Sequence, residues 1–158
     1  MPMPISNDRL NGLLEAYLTA EYRWERDGQW LALVVGKPAP ELDDAFPEAR
    51  QFGTISAWNP YSVVRQDQFN READAALHAM LAASGSLFQP AFAAARNRSW
   101  KESSWLIVDM PLPEFDALSR RFGQLGTLCW QRGQPVRLRM DAARPATASD
   151  LAFVDWLK

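Results

Sequence analysis

The apolar positions follow two rhythms along the chain, and their order predicts the fold. Leu10, Leu13, Leu14, Tyr17 and Leu18 recur at the spacing of one buried helical stripe. They predict a first helix over about residues 6–22, capped by Ser6 or Asn7. The apolar run 30–35 predicts a strand that stops at Gly36. Residues 37–50 carry three prolines and four acidic side chains, so they read as a surface loop. A second strand is expected over 52–58 and a second helix over about 65–83. Phe69, Ala73, Ala76, Leu77 and Met80 form the apolar face of that helix, and Ser84-Gly85-Ser86 ends it. A third strand, 87–93, leads to a basic tip, Arg96-Asn97-Arg98-Ser99-Trp100-Lys101. The fourth strand, 104–108, is nearly all apolar, as a central strand should be. Pro111 and Pro113 open a third helix with Phe115, Leu118 and Phe122 on one face and Gly123 at its end. Strands over 127–130 and 136–140 flank a turn at Arg132-Gly133. Residues 142–148 read as a linker to a short last helix, 149–157, that packs Phe153, Trp156 and Leu157 against the body.

From the second strand to the fifth the order is β-α-β-β-α-β, the split ferredoxin-like unit. The expectation is one α+β domain over residues 1–158 with its core at about 52–131. A helix and a strand precede the ferredoxin-like sheet, and a strand and a helix follow it. Strand direction alternates in such a unit, so three connections share one edge. They are the corner 59–67, the hairpin tip 96–103 and the turn 120–124. That edge collects Arg65, Arg71, Arg96, Arg98, Lys101, Arg120 and Arg121. The second helix also aims its N-terminus there, and free N–H groups at a positive dipole end favour an anion.

Composition narrows the classes. The chain has 158 residues, 47% of them hydrophobic and 23% charged, which suits one globular domain. A formal net charge of -2 argues against a general nucleic-acid binder. A lone cysteine, Cys129, rules out an internal disulfide, and with a lone histidine, His78, it leaves no cysteine- or histidine-rich metal site. No phosphate-cradling glycine loop is present, so neither a metal nor a cofactor is expected. The opening segment lacks the apolar core of a signal peptide and no run is long enough to span a membrane, so a cytoplasmic protein is expected.

The densest chemistry lies in Ile55-Ser56-Ala57-Trp58-Asn59-Pro60-Tyr61-Ser62, where a β-prone run stops and hands over to a helix. Asn59 either holds a ligand through its amide or caps a turn. Ser62 has the same two readings, and no Ser–His pair is expected because His78 lies along the second helix. Near Asn70, Arg71 either clamps a carboxylate or phosphate or stands in solvent. Trp58, Tyr61 and Trp100 could wall a planar ligand. Glu102, beside an aromatic, is either an acid–base group of raised pKa or the structural partner of an arginine such as Arg71 or Arg121. Gln124 either reads a polar ligand or satisfies the end of the third helix. Cys129 reads as a packing residue and His78 as a surface one.

Four of these motifs carry a resemblance: Ile55 to Ser62, Asn70-Arg71, Trp100-Lys101-Glu102-Ser103-Ser104 and Arg121-Phe122-Gly123-Gln124. On them the chain resembles a bacterial family catalogued as domain of unknown function 3293, over about residues 52–130. That family brings no activity with it, so the resemblance implies domain identity and no chemistry. The residues themselves point to a pocket on one sheet edge for a small anionic or polar ligand, nucleotide-like molecules included. Its expected lining is Trp58, Asn59, Ser62, Asn70, Arg71, Trp100, Glu102 and Gln124. Two other readings stay open. One is an enzyme with Glu102 as acid or base and Arg71 as charge stabiliser. The other is a protein-interaction module, as a homodimer or with another partner. Single-stranded RNA binding ranks last, because the strands lack the aromatic pattern it needs.

Overall fold

A sheet of eight strands runs through the molecule, and helices cover both of its faces. This is the mixed α+β arrangement of the computed structural model, which describes residues 4–158. The elements are α1 (Asn7–Thr19), β1 (Glu21–Arg26), β2 (Gln29–Leu33), α2 (Pro40–Ala45), β3 (Gln51–Ser56), α3 (Asp67–Ser84), β4 (Phe88–Ala94), β5 (Lys101–Val108), α4 (Leu112–Arg121), β6 (Gly126–Gln131), β7 (Leu138–Met140) and β8 (Val154–Trp156). The strand order is β2-β1-β4-β5-β3-β6-β7-β8. Neighbours are antiparallel except β7 and β8, which are parallel.

Three parts differ from the sequence reading. First, α1 stops at Thr19, and Glu21 to Arg26 form a strand of their own. Alternation explains it: Tyr22 and Trp24 face one side while Glu21, Arg23 and Glu25 face the other. Asp27 and Gly28, both at positive φ (50° and 82°), then turn the chain into β2, as an Asp-Gly hairpin does. Second, the expected loop 37–50 contains α2. Pro40 opens it, Leu42 is fully buried, and Arg132 donates to the carbonyls of Asp43, Phe46 and Ala49. Third, the last segment is not a helix. Leu138 N–H donates to the Phe153 carbonyl, and β8 extends the sheet beside β7. Residues 142–148 are no free linker either: Pro145 and Ala148 are buried, and Asn11 Nδ2 of α1 donates to Thr147 Oγ1 at 2.7 Å.

The sheet has a core on each face. On one, α1 and α2 pack against Trp24, Phe52, Leu106, Val108, Leu128, Trp130, Leu138 and Met140. On the other, Leu77 and Leu81 of α3 and Phe115 and Leu118 of α4 pack against Ile55, Ile107 and Cys129. Each such large apolar side chain contributes about 1.5–3 kcal/mol on burial. Gly53 marks how closely α4 approaches. A Cβ there would lie 2.3 Å from the Phe115 ring and 3.0 Å from the Leu128 carbonyl oxygen. The register also brings the C-terminal ends of β3 and β4 beside the N-terminal ends of β1, β5 and β6. Ser56 pairs with Ser104, Ala93 with Glu102 and Tyr22 with Ala93.

Two glycines should respond in opposite ways. Gly12 lies within α1 with nothing near its Cβ position, so Gly12→Ala should stabilise the fold by about 0.5–1 kcal/mol. Gly53→Ala should destabilise it by about 1–3 kcal/mol or more, because neither ring nor backbone can yield freely. Urea unfolding of the two variants checks both signs.

Candidate functional site

The corner after β3 is held in an unusual backbone path. Asn59, Tyr61 and Ser62 have φ of 46°, 57° and 58°. Asparagine tolerates the left-handed region, but a tyrosine or serine there costs about 1–3 kcal/mol. Several contacts hold the path. Ser56 Oγ donates to the Ser103 carbonyl and accepts from Trp58 N–H. Tyr61 N–H donates to the Gly123 carbonyl at 2.7 Å. Gly123, at φ 65°, must lack a side chain, since a Cβ would fall 2.8 Å from that of Pro60. The Trp58-Asn59-Pro60-Tyr61 and Phe122-Gly123-Gln124 segments thus dock on each other, and Gln124 Nε2 donates to the Trp58 carbonyl.

Asn59 and Asn70 lock this corner to α3. Asn59 N–H donates to Asn70 Oδ1 (2.8 Å), and Asn70 Nδ2 donates back to Asn59 Oδ1 (2.9 Å). Arg65 Nε also reaches Asn70 Oδ1, at 2.7 Å, and its Nη2 reaches the Ala57 carbonyl, at 3.1 Å. An arginine only donates, so both amide orientations are fixed by the network. The remaining arm of Asn59, Nδ2, then points at Glu102 Oε1 on β5, 2.9 Å away.

Between α1 and this end of the sheet lies a cavity of about 230 Å³. Leu13, Ala16 and Tyr17 of α1 form one wall, and Thr54, Ser56, Glu102, Ser104 and Tyr22 form the sheet side. Trp58, Asn59, Ser62, Trp100 and Gln124 complete the lining. The sheet face changes character on the way. Along β3 it passes from Phe52 through Thr54 to Ser56, and along β5 from Val108 and Leu106 to Ser104 and Glu102. Small polar side chains replace the large apolar ones, so the space under α1 is not filled. Gly126 of β6 lets the Tyr17 ring lie against the strand, where a Cβ would stand 2.9 Å from it.

The electrostatics follow from burial. Burial raises the Glu102 pKa, and the Asn59 hydrogen bond opposes this only in part. Burial also raises the phenols of Tyr17 and Tyr22, so both stay protonated and can donate. Tyr22 Oη donates to the Tyr17 carbonyl, and the Tyr17 and Ser62 hydroxyls share a hydrogen bond. Arg9 reaches the Ser62 carbonyl (2.9 Å) from outside the lining. Among the described residues no lysine, arginine or histidine lines the cavity. The Trp58 Nε1 atom is buried without a hydrogen-bond partner among the described residues. Among those residues no group of three or more His, Cys, Asp or Glu side chains could hold a metal ion.

Six of the eight expected residues therefore meet at the cavity: Trp58, Asn59, Ser62, Trp100, Glu102 and Gln124. Asn70 stands behind it, 1% exposed and committed to Asn59 and Arg65. Arg71 does not join. Its side chain is 68% exposed on α3 and lies 3.9 Å from Asp67, one helical turn away. Glu102 pairs with Asn59 and with neither Arg71 nor Arg121. The basic hairpin tip also has other tasks. Arg96 donates to the Thr19 carbonyl, Arg98 binds Glu21, and Arg98 and Lys101 lie over the Phe92 ring. Asn59 sits at the start of the 3-10 turn Pro60–Ser62 but its side chain makes no cap bond to it. Sequence reasoning missed Tyr17, Tyr22, Thr54 and Ser104. Tyr17 fits the core stripe, Tyr22 belongs to an unforeseen strand, and the only trace of the others is Thr and Ser at inward strand positions.

Residues 55–126 match the model of a family described as "Protein of unknown function (DUF3293)", and the match places this segment in that family. The segment contains the corner, α3, β5 with Glu102, and the turn with Gln124, but not α1 or β1. No curated protein and no solved structure matches the chain.

Neighbouring residues on α3 should differ sharply on mutation. Asn70→Ala leaves Asn59 and Arg65 without a buried partner and should cost about 2–3 kcal/mol. Arg71→Ala should stay within about 0.5 kcal/mol, as expected of an exposed i,i+4 pair. Chemical denaturation compares them. Glu102 should make itself felt through pH. Its pKa is raised in the fold, so its stabilising share is fully present below the ordinary value of 4.5 and is lost as pH rises through the raised value. Glu102→Gln should therefore be more stable than the wild-type protein at neutral pH, with the gap closing in acid. Melting temperatures taken across that pH range measure the gap.

Proposed function

We propose that the cavity is a binding site for a small molecule with an apolar body and a hydrogen-bonding head. The observation that carries this reading is the polar stretch on an otherwise apolar sheet face. Thr54, Ser56, Glu102 and Ser104 stand where the core would gain most from leucine or valine. Polar groups under a helix lower stability unless they are satisfied, so their concentration at one end suits a ligand better than a core. Convergence adds support. Walls come from α1, β1, β3, β5, the corner and the turn at Gln124, with aromatic surface from Trp58, Trp100, Tyr17 and Tyr22 around a few polar groups.

The lining favours the polar arm of the sequence expectation over the anionic one, because among the described residues its formal charge comes from Glu102 alone. An enzyme built on Glu102 and Arg71 would need both at the cavity, and Arg71 pairs with Asp67 in solvent. We read the strands β4-β5-β3-β6, all antiparallel and joined through α3 and α4, as a ferredoxin-like unit that holds the floor of the site. Among the described residues no helix is long and apolar enough to cross a membrane.

Filling the space tests the proposal. Ser104 is 8% exposed on the cavity floor. In Ser104→Leu the extra carbons would occupy the cavity, so the variant should melt no lower than the wild-type protein. A neutral fragment library screened by ligand-observed NMR should give hits on the wild-type protein that vanish in the variant. Hits that bind a folded Ser104→Leu protein unchanged would exclude this cavity as their site.

A further inference from the structure

We infer that the cavity selects an organic cation: a primary amine on a small apolar body, with Glu102 as its counter-charge. The inference rests on the binding reading above and adds the chemical class. Among the described residues Glu102 is the only carboxylate in the lining, and no cation accompanies it. Asn59 Nδ2 holds Oε1, while Oε2 has no hydrogen-bond partner among the described residues. The nearby arginines are committed elsewhere. Arg65 serves Asn70 and Ala57, Arg9 the Ser62 carbonyl, Arg96 the Thr19 carbonyl and Arg98 Glu21. A half-buried carboxylate with a single neutral partner is costly to keep ionised, and an incoming ammonium supplies what is missing.

The surroundings fit the same ligand. Trp58, Trp100, Tyr17 and Tyr22 offer aromatic surface, whose faces attract cations. The charge of Glu102 bears on the phenols of Tyr17 on α1 and Tyr22 on β1, both of which stay neutral. Arg9 acts from α1 on Tyr17 and does not line the cavity. The strands β3 and β6 contribute only uncharged residues to the lining. An anion entering this space would meet a like charge and no compensating one.

Three probes of one shape and different charge decide the matter: benzylamine, benzyl alcohol and benzoate. Each is titrated into the full chain and into Glu102→Gln, with 15N-detected NMR to locate the shifts. Benzylamine should bind the wild-type protein about tenfold more tightly than benzyl alcohol, the scale of one charge-assisted hydrogen bond. Benzoate should be the weakest. In Glu102→Gln the benzylamine advantage should vanish while benzyl alcohol stays within about twofold. Lowering the pH through the Glu102 titration should weaken benzylamine alone. Benzyl alcohol or benzoate binding as tightly as benzylamine at the cavity would overturn the cation inference and leave the pocket standing. Failure of all three to bind at millimolar concentration would count against the inference and the pocket together.

Discussion

The reciprocal pair of Asn59 and Asn70 is the constraint on which the site depends. Asn59 and Asn70 exchange hydrogen bonds across the corner, and Arg65 ties Asn70 to the Ala57 carbonyl just after β3. That arrangement holds Tyr61 and Ser62 in a left-handed path that neither would adopt alone. It also orients the last free arm of Asn59 toward Glu102. One asparagine therefore joins three segments: the corner, the adjoining α3 and the distant β5. Alanine or aspartate at this position could not serve all three, since only an amide both accepts and donates there.

A second constraint is the change of side-chain size and polarity along one sheet face. Where Phe52, Leu106 and Val108 project, α1 and α2 find a packed core. Where Thr54, Ser56 and Ser104 project, α1 spans a hollow. The helix is kept above it by its own capped first turn, by Leu10 and Leu14 in the core, and by Asn11 against Thr147. The wall of the hollow thus relies on residues outside the family segment 55–126, while much of its floor and the corner lie within it. The packed core and the hollow thus divide a single strand between them.

Much of the central unit was legible in the sequence, because its signals are local. Ala73, Leu77 and Met80 of the expected α3 stripe face the core, although Phe69 and Ala76 of the same stripe are exposed; they, the prolines at the start of α4, the apolar run of β5 and the glycine after α4 each act within one element. The ends of the chain were harder to read. Tyr17 to Trp24 satisfies a helical stripe and a strand alternation at once, and only pairing with β4 decides between them. Phe153, Trp156 and Leu157 have helical spacing, yet β7 offers an open edge and the segment completes the sheet. At the site, Asn59 and Glu102 stood out by residue type, and sheet geometry brought them together. Arg71 was misplaced because its helical phase follows from the inward position of Asn70, which leaves the next residue pointing to solvent. Thr54 and Ser104 passed unnoticed, since a polar residue in a strand is ordinary until the face it occupies is known.

The central claim is that the polar end of the sheet leaves a real hollow beneath α1, with Glu102 open to it. A crystal structure of the protein, at a resolution that shows ordered water, measures this most directly. The account predicts water or a bound molecule within hydrogen-bonding distance of Glu102 Oε2 and the Ser104 hydroxyl, with Tyr17 still against Gly126. Density in which α1 has collapsed onto Thr54 and Ser104, or in which an arginine of the chain closes on Glu102, would contradict it.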